Sequence, residues 1–178
     1  MGAGIIFMTE NDGKLHFLFG REANIESTYH KDRGKFSDFG GSKEKNETYK
    51  ETAIRECMEE TMGLYMTKRQ LNDLIDNNLI LKIEYNNYCV FVVKVKGSPY
   101  SGKHKSFLFA LRDSFKHAYK NDYEIVSNHN GLYEKDLAKW FNGKLLEKNI
   151  DSFRPWYRKF IKFLINFIKK KYKINQVK

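Results

Sequence analysis

Residues 41–63 read GSKEKNETYKETAIRECMEETMG, directly after Gly40, and set Glu47, Arg55, Glu56, Glu59 and Glu60 in one short stretch. Between Thr48 and Thr61 there is no Gly or Pro, and Thr48 with Glu51 three residues on has the form of a capping box, so the segment reads as one helix. Ala53, Ile54, Cys57 and Met58 fall on one apolar stripe of that helix. Glu56, Glu59 and Glu60 lie three and four residues apart on another face. Like charges at this spacing cost about 0.2–0.5 kcal/mol per pair, so such a cluster calls for solvent or for a cation.

A charged helical face usually marks only contact with water, and Glu51, Arg55 and Glu59 form an i, i+4 ladder that any solvated helix can carry. The glycine pair and the three carboxylates together favour a hard divalent ion. Mg2+ takes oxygen ligands, keeps several waters and commonly combines a few carboxylates with substrate phosphates. The stretch resembles the Nudix box, G-x5-E-x7-R-E-U-x-E-E-x-G-U with U aliphatic, and Gly41, Glu47, Arg55, Glu56, Glu59 and Glu60 all match it. That family hydrolyses diphosphate linkages in nucleoside diphosphates joined to another group.

The resemblance implies roles for individual residues. Gly40, through its carbonyl, and Glu56, Glu59 and Glu60 would hold Mg2+, with Mn2+ as a substitute. Gly41, Glu47 and Arg55 would position the loop and helix. Glu59 or Glu60 would accept a proton from the attacking water, and a further acidic residue would come from the region before the last strand. Glu134 is the best placed for that role, with Glu124 and Asp136 behind it, although an ordinary solvated turn residue is an equal reading. Arg21, His30, Lys31, Arg33, Lys35 and Phe36 would line the mouth; Arg21, Lys35 and Phe36 are the candidate substrate-binding residues. The chain departs from the pattern at Met62, where the family has Gly; Gly63 follows one residue late, which predicts a helix one residue longer.

Around this stretch, Gly4 to Phe7 and Lys14 to Phe19 read as strands joined at Asp12-Gly13. Leu79 to Lys96 contains the β-rich run YCVFVVKVK, and Ser106 to Tyr119 reads as a helix with Leu108, Leu111, Phe115 and Tyr119 in register. A late strand around Ala138 to Phe141 and a helix over about 154–173 complete the order. The resemblance implies an α/β fold, a three-layer α/β/α sandwich with a mixed sheet, and 178 residues suit a single domain over 1–178. Cys57 and Cys89 have no metal-ligand spacing and sit in apolar settings, which argues against a disulfide framework or a zinc site and for a reducing, cytoplasmic location. No targeting signal or bilayer-spanning run is evident. His104, His117 and His129 show no metal spacing and read as surface or satisfied histidines.

Net charge is +10, and the excess is local: Arg154 to Lys178 holds nine Lys or Arg and no Asp or Glu, against 23 basic and 22 acidic residues elsewhere. Trp156, Phe160, Phe163, Leu164, Phe167 and Ile168 share one broad face of this tail, opposite Arg158, Lys159, Lys162, Lys169 and Lys170. The tail could complete the core, hold RNA through its phosphates, or lie on an anionic membrane surface. Three functions remain open: decapping of the 5′ end of RNA, cleavage of a free nucleotide derivative, and a module that binds nucleotide or RNA without cutting it.

Overall fold

The computed structural model describes residues 1–24, 28–121 and 133–175. Asp12 and Gly13 both adopt positive φ, at 49° and 67°, and close the hairpin between β1 (Gly2–Asn11) and β2 (Lys14–Glu22). Two-residue turns of this hand match strand twist. β3 (Phe36–Ser37) and β4 (Phe39–Ser42) follow, then α1 (Tyr49–Glu60) and α2 (Lys68–Asn77). β5 (Leu79–Tyr85) and β6 (Tyr88–Lys94) form a second hairpin. α3 (Gly102–Asn121), β7 (Lys135–Asn142), α4 (Gly143–Lys148), a single 3-10 turn over 150–152 and α5 (Arg158–Asn175) complete the chain.

The strands form one mixed sheet in the order β3-β2-β1-β6-β5, with β4 added to β1 and β7 to β2. Only the β1–β6 pair is parallel among the described strands. β6 runs beside β1 from Gly2 to Met8, so its other edge is shared: β4 takes Gly2 to Ile5 and β2 takes Phe7 to Asn11. The sheet therefore forks beyond Ile5, where β1 exchanges β4 for β2.

Alternation along β1 divides the interior into two cores. Ala3, Ile5 and Phe7 pack with Ala53, Ile54 and Cys57 of α1, Leu71 and Ile75 of α2, and Phe107 and Leu111 of α3. Ile6 and Met8 pack on the opposite face with Phe17, Phe19, Leu146 of α4 and the terminal helix. Helices thus cover both faces of a mixed sheet, the three-layer α/β arrangement expected.

Several local expectations are corrected. α1 ends at Glu60 rather than running one residue further. Met62 takes the left-handed position, φ 52°, and donates its N–H to Glu59, while Gly63 donates to Met58, which is the paired closure of a Schellman cap. α3 begins four residues before Ser106 and buries Phe107 where the sequence pointed to the half-buried Leu108. α5 starts at Arg158, and its core face is Phe160, Ile161, Leu164 and Ile168; Trp156 and Phe163 stay exposed. α2 and α4 are additional helices. α2 opens on a second capping box, Thr67 with Gln70. Among the described residues, no helix is long and apolar enough to cross a membrane.

Candidate active site

α1 brings its acidic residues to the open end of β4. Its N-terminus is fixed by the expected capping box: Glu51 N–H donates to the Thr48 hydroxyl, and Thr48 N–H donates to the Glu51 carboxylate. One turn later Arg55 gathers the cluster. Its Nε donates to Glu47 Oε1 at 2.7 Å, its Nη2 to Glu47 Oε2 and to the Ser42 carbonyl, and its Nη1 to Glu56 Oε1 at 2.9 Å and Glu59 Oε2 at 3.1 Å. One guanidinium therefore ties the loop, the end of β4 and two helical carboxylates together. The hydrogen bond from Arg55 holds the Glu47 carboxyl well below its ordinary value, at about 2.

Glu56 and Glu59 are held differently from Glu47. Burial raises both carboxyls, and Arg55 only partly offsets it; Glu134 adds further repulsion to each, and Glu44 does so at Glu59. Glu134 is exposed, sits immediately before β7, and is anchored by its carbonyl, which accepts Ala23 N–H. The fork thus brings Glu56, Glu59 and Glu134 within electrostatic reach of one another, although 78 positions separate Glu56 from Glu134. The Glu56 carboxylate lies against Gly41: a Cβ there would come within 2.5 Å of Glu56 Oε2, so a side chain at this position would displace the carboxylate. Arg55 and Glu59 border a cavity of about 640 Å³, with Lys45 and Lys68 also on its wall.

Glu60 sits apart from this set. It is 2 % exposed; Oε2 accepts the Gly40 N–H at 2.8 Å, and Oε1 is 3.1 Å from Lys135 Nζ. Burial lifts its carboxyl well above the ordinary range, and Lys135 counteracts only part of that. Lys135, fully buried, also donates to Glu22 and to the Ser37 hydroxyl, and Glu22 in turn pairs with Arg154 at 3.3 Å. For Glu22 burial is outweighed by Lys135 and Arg154, and its carboxyl is lowered. Asp38, beside Gly40, is pushed up to about 7 by burial, against the pull of Lys135 and the Tyr88 hydroxyl.

Lys135, Glu22, Ser37 and Asp38 were not legible as site residues. In sequence Lys135 looks like one more solvated lysine after a turn; its burial depends on Gly20 across the β2–β7 ladder, whose missing side chain leaves the space that the Lys135 stem fills. Phe36 does not line the site. It is 8 % exposed and packs edgewise on Phe141 at 5.0 Å, with Phe153 at 6.0 Å, because β3 turns its side chain into the second core. Arg21 is clamped by Asp136 through two hydrogen bonds of 2.8 and 3.0 Å. Lys35 reaches the Asp151 carbonyl, and Arg33 donates to the Thr28 carbonyl. None of these cations is directed to the carboxylates by a described contact. His104 is a satisfied core histidine, with Tyr65 OH 2.7 Å from Nδ1 and the Lys96 carbonyl 3.2 Å from Nε2. Both cysteines are free and buried. Glu124 and His129 lie outside the described residues.

Among the described residues no three His, Cys, Asp or Glu side chains stand as a ready metal cage. The donor set nevertheless suits a hard cation. Its atoms are carboxylate oxygens, and one cationic nitrogen, Arg55 Nη1, already lies between Glu56 and Glu59.

No protein-family model matches the chain, and no curated protein matches it. Among solved structures the chain is similar to RenU, a Nudix hydrolase from M. smegmatis, at 11 % identity over 95 % of this chain and 86 % of that one, with TM-score 0.48. It is also similar to a mutT/nudix family protein from Listeria innocua, at 15 % identity over 97 % and 96 %, with TM-score 0.49. A C. elegans Ap4A hydrolase gives 16 % identity over 93 % of each chain, with TM-score 0.46.

Proposed function

We propose that this chain is a divalent-metal-dependent hydrolase of the Nudix type that cleaves the diphosphate linkage of a nucleoside diphosphate derivative. The observation that carries the reading is the convergence of Glu56 and Glu59 on a single cationic atom beside Gly41, with Glu134 arriving from the far side of the fork. Four of the six residues that match the box are carboxylates, and Glu134, which lies outside it, is a fifth.

Glu56 and Glu59, with the Gly40 carbonyl, are the groups that would hold Mg2+ or Mn2+. When bound, such an ion neutralises the diphosphate and lowers the pKa of a nearby water. Arg55 and Glu47 keep the two ligands aligned. Glu60, with both oxygens engaged, fixes the Gly40 amide and so the strand end that approaches the phosphates. Glu134, exposed and within electrostatic reach of the ligand carboxylates, accepts the proton from the attacking water.

A capped RNA 5′ end is the form of substrate that the terminal helix favours. α5 presents Lys159, Lys162, Lys169 and Lys170 to solvent while its other face fills the core. Such lysines add phosphate contacts without reading sequence, and their contribution falls with salt. A free nucleotide derivative is the alternative substrate, and a non-cleaving nucleotide-binding module the alternative role.

The test is product release in Mg2+ from cap-labelled RNA and, in parallel, from free nucleoside di- and triphosphates and dinucleotides, with Glu59→Gln as control. Release of a capped nucleoside diphosphate that weakens steeply with salt supports decapping. Preferential cleavage of a free compound assigns the nucleotide role. Turnover in Glu59→Gln equal to that of the native chain, or silence on every compound, overturns the hydrolase.

A further inference from the structure

Gly40 and Gly41 face opposite sides of β4. Gly41 abuts Glu56, whereas a Cβ on Gly40 would meet the Tyr88 hydroxyl at 2.5 Å. On the Tyr88 side lies a cavity of about 420 Å³, whose wall includes Gly41, Tyr85, Asn87, Tyr88, Arg154 and Trp156. That volume falls in the range of ligand pockets, roughly 300–1,000 Å³. Two larger cavities, about 790 Å³ beside β5 and about 640 Å³ beside Glu47 and Glu59, are bordered by neither Gly40 nor Gly41, whereas both glycines border this one.

The walls of the cavity have a specific chemistry. Trp156 is 42 % exposed and borders the cavity. Its described ring contacts, with Tyr88 at 5.0 Å, Tyr157 at 5.3 Å and Phe160 at 6.2 Å, are all steeply inclined, and Arg154 lies over the indole at 5.2 Å. No described ring stacks flat on Trp156. Asn86 and Asn87 form the tight turn between β5 and β6 with φ of 48° and 61°, and both side chains are exposed on the cavity rim. An aromatic platform, a guanidinium and two carboxamides are the groups that stack a flat heteroaromatic ring and hydrogen-bond its edge.

We infer that this cavity is the nucleobase site: the base of the substrate stacks on Trp156, with Asn86 and Asn87 at its edge, while the diphosphate crosses the Gly40–Gly41 end of β4 toward Glu56. The inference rests on the hydrolase reading only for the position of the diphosphate. The ring and carboxamide chemistry stands on its own geometry.

The experiment uses the full chain with Ca2+ in place of Mg2+, titrated with ADP, GDP, UDP and inorganic pyrophosphate while tryptophan fluorescence and binding heat are followed. Trp140 is buried, so a base stacking on Trp156 quenches the exposed indole. The expected result is a quench with the three nucleotides and none with pyrophosphate. Trp156→Phe should abolish the quench yet still bind nucleotide by heat, and Trp156→Ala should weaken nucleotide affinity by about tenfold or more, as loss of one base–aromatic stack does. Asn86→Gly and Asn87→Gly keep the left-handed turn while removing the carboxamides, and should change the ratio of affinities among the three bases. Equal binding of ADP and pyrophosphate, or unchanged affinities in both Trp156→Ala and the asparagine variants, overturns the site. If Mg2+-dependent hydrolysis is present in that case, the base site falls and the hydrolase stands. A base-dependent quench in a chain that hydrolyses nothing does the reverse.

Discussion

Glu60 Oε1 and Lys135 Nζ lie 3.1 Å apart, at 2 % and 0 % exposure, although 75 positions separate them in the sequence. The pair joins the last turn of the acidic helix to the first residue of β7, and the other oxygen of Glu60 holds Gly40. A buried ion pair of this kind adds little net stability, but the removal of one partner strands the other. Lys135→Met leaves both Glu22 and Glu60 without their shared cation and is expected to cost about 3–5 kcal/mol by urea denaturation. A loss below about 1 kcal/mol would show that the pair is not buried as described.

Metal binding should be visible as stability before any turnover is measured. Glu56 and Glu59 repel each other and are burdened by Glu134, so a divalent ion relieves strain present in the free protein. At a Mg2+ concentration 100 times Kd the stabilisation is about 2.7 kcal/mol, read as a rise in Tm. Glu56→Gln with Glu59→Gln should abolish the Mg2+-dependent rise, and a rise of full size in that double variant would refute the ligand assignment.

Acid should loosen the loop before α1 within a defined window. The Glu47 carboxyl sits at about 2 when folded against 4.5 for a free carboxyl, because Arg55 donates to its ionised form. Its contribution is complete above about pH 4.5 and is lost as pH falls through about 2. Comparison of native and Glu47→Gln stability across pH 2–6 should show two curves that converge toward the acid end. Parallel curves would remove Arg55–Glu47 from the account.

The exit of α1 depends on two consecutive left-handed residues, Met62 and Gly63. Gly63→Ala places a Cβ 3.4 Å from the Met58 methyl, an ordinary contact, so the cost is conformational and about 1–2 kcal/mol. A neutral substitution in chemical denaturation would mean that the cap relaxes to another geometry.

The terminal helix offers a contrast between neighbours. Leu164 is fully buried against the sheet, and Leu164→Ala should cost about 2–5 kcal/mol. Phe163, 43 % exposed, should cost less than about 1 kcal/mol when replaced by Ala. Equal effects at the two positions would place the helix in another rotation.

What the sequence disclosed was local. The capping box at Thr48, the Asp12-Gly13 turn and the apolar stripe of α1 depend on residues three or four apart, where spacing is a reliable guide. The fork in the sheet is not local: it arises because β1 exchanges one partner for another between Ile5 and Phe7, and no periodicity marks that point. Phe36 was misplaced for the same reason, since an aromatic after a basic loop reads equally well as a wall of the site or as core. Lys135 was missed because its burial depends on Gly20 and two acidic partners distant in sequence. On α5, contact with the sheet kept Phe160, Leu164 and Ile168 of the apolar face, left Trp156 and Phe163 exposed, and buried Ile161, which that face did not include.

Because successive residues of β4 look to opposite sides, the proposed cutting site and the proposed base site would have separate addresses in this molecule. A side chain at Gly41 would meet Glu56 and one at Gly40 would meet Tyr88, while the backbone of both glycines borders the cavity at the Asn86–Asn87 turn. A lineage, or a protein engineer, can therefore exchange the residues of that turn to change what is accepted, while the acidic helix that would do the cutting is inherited intact.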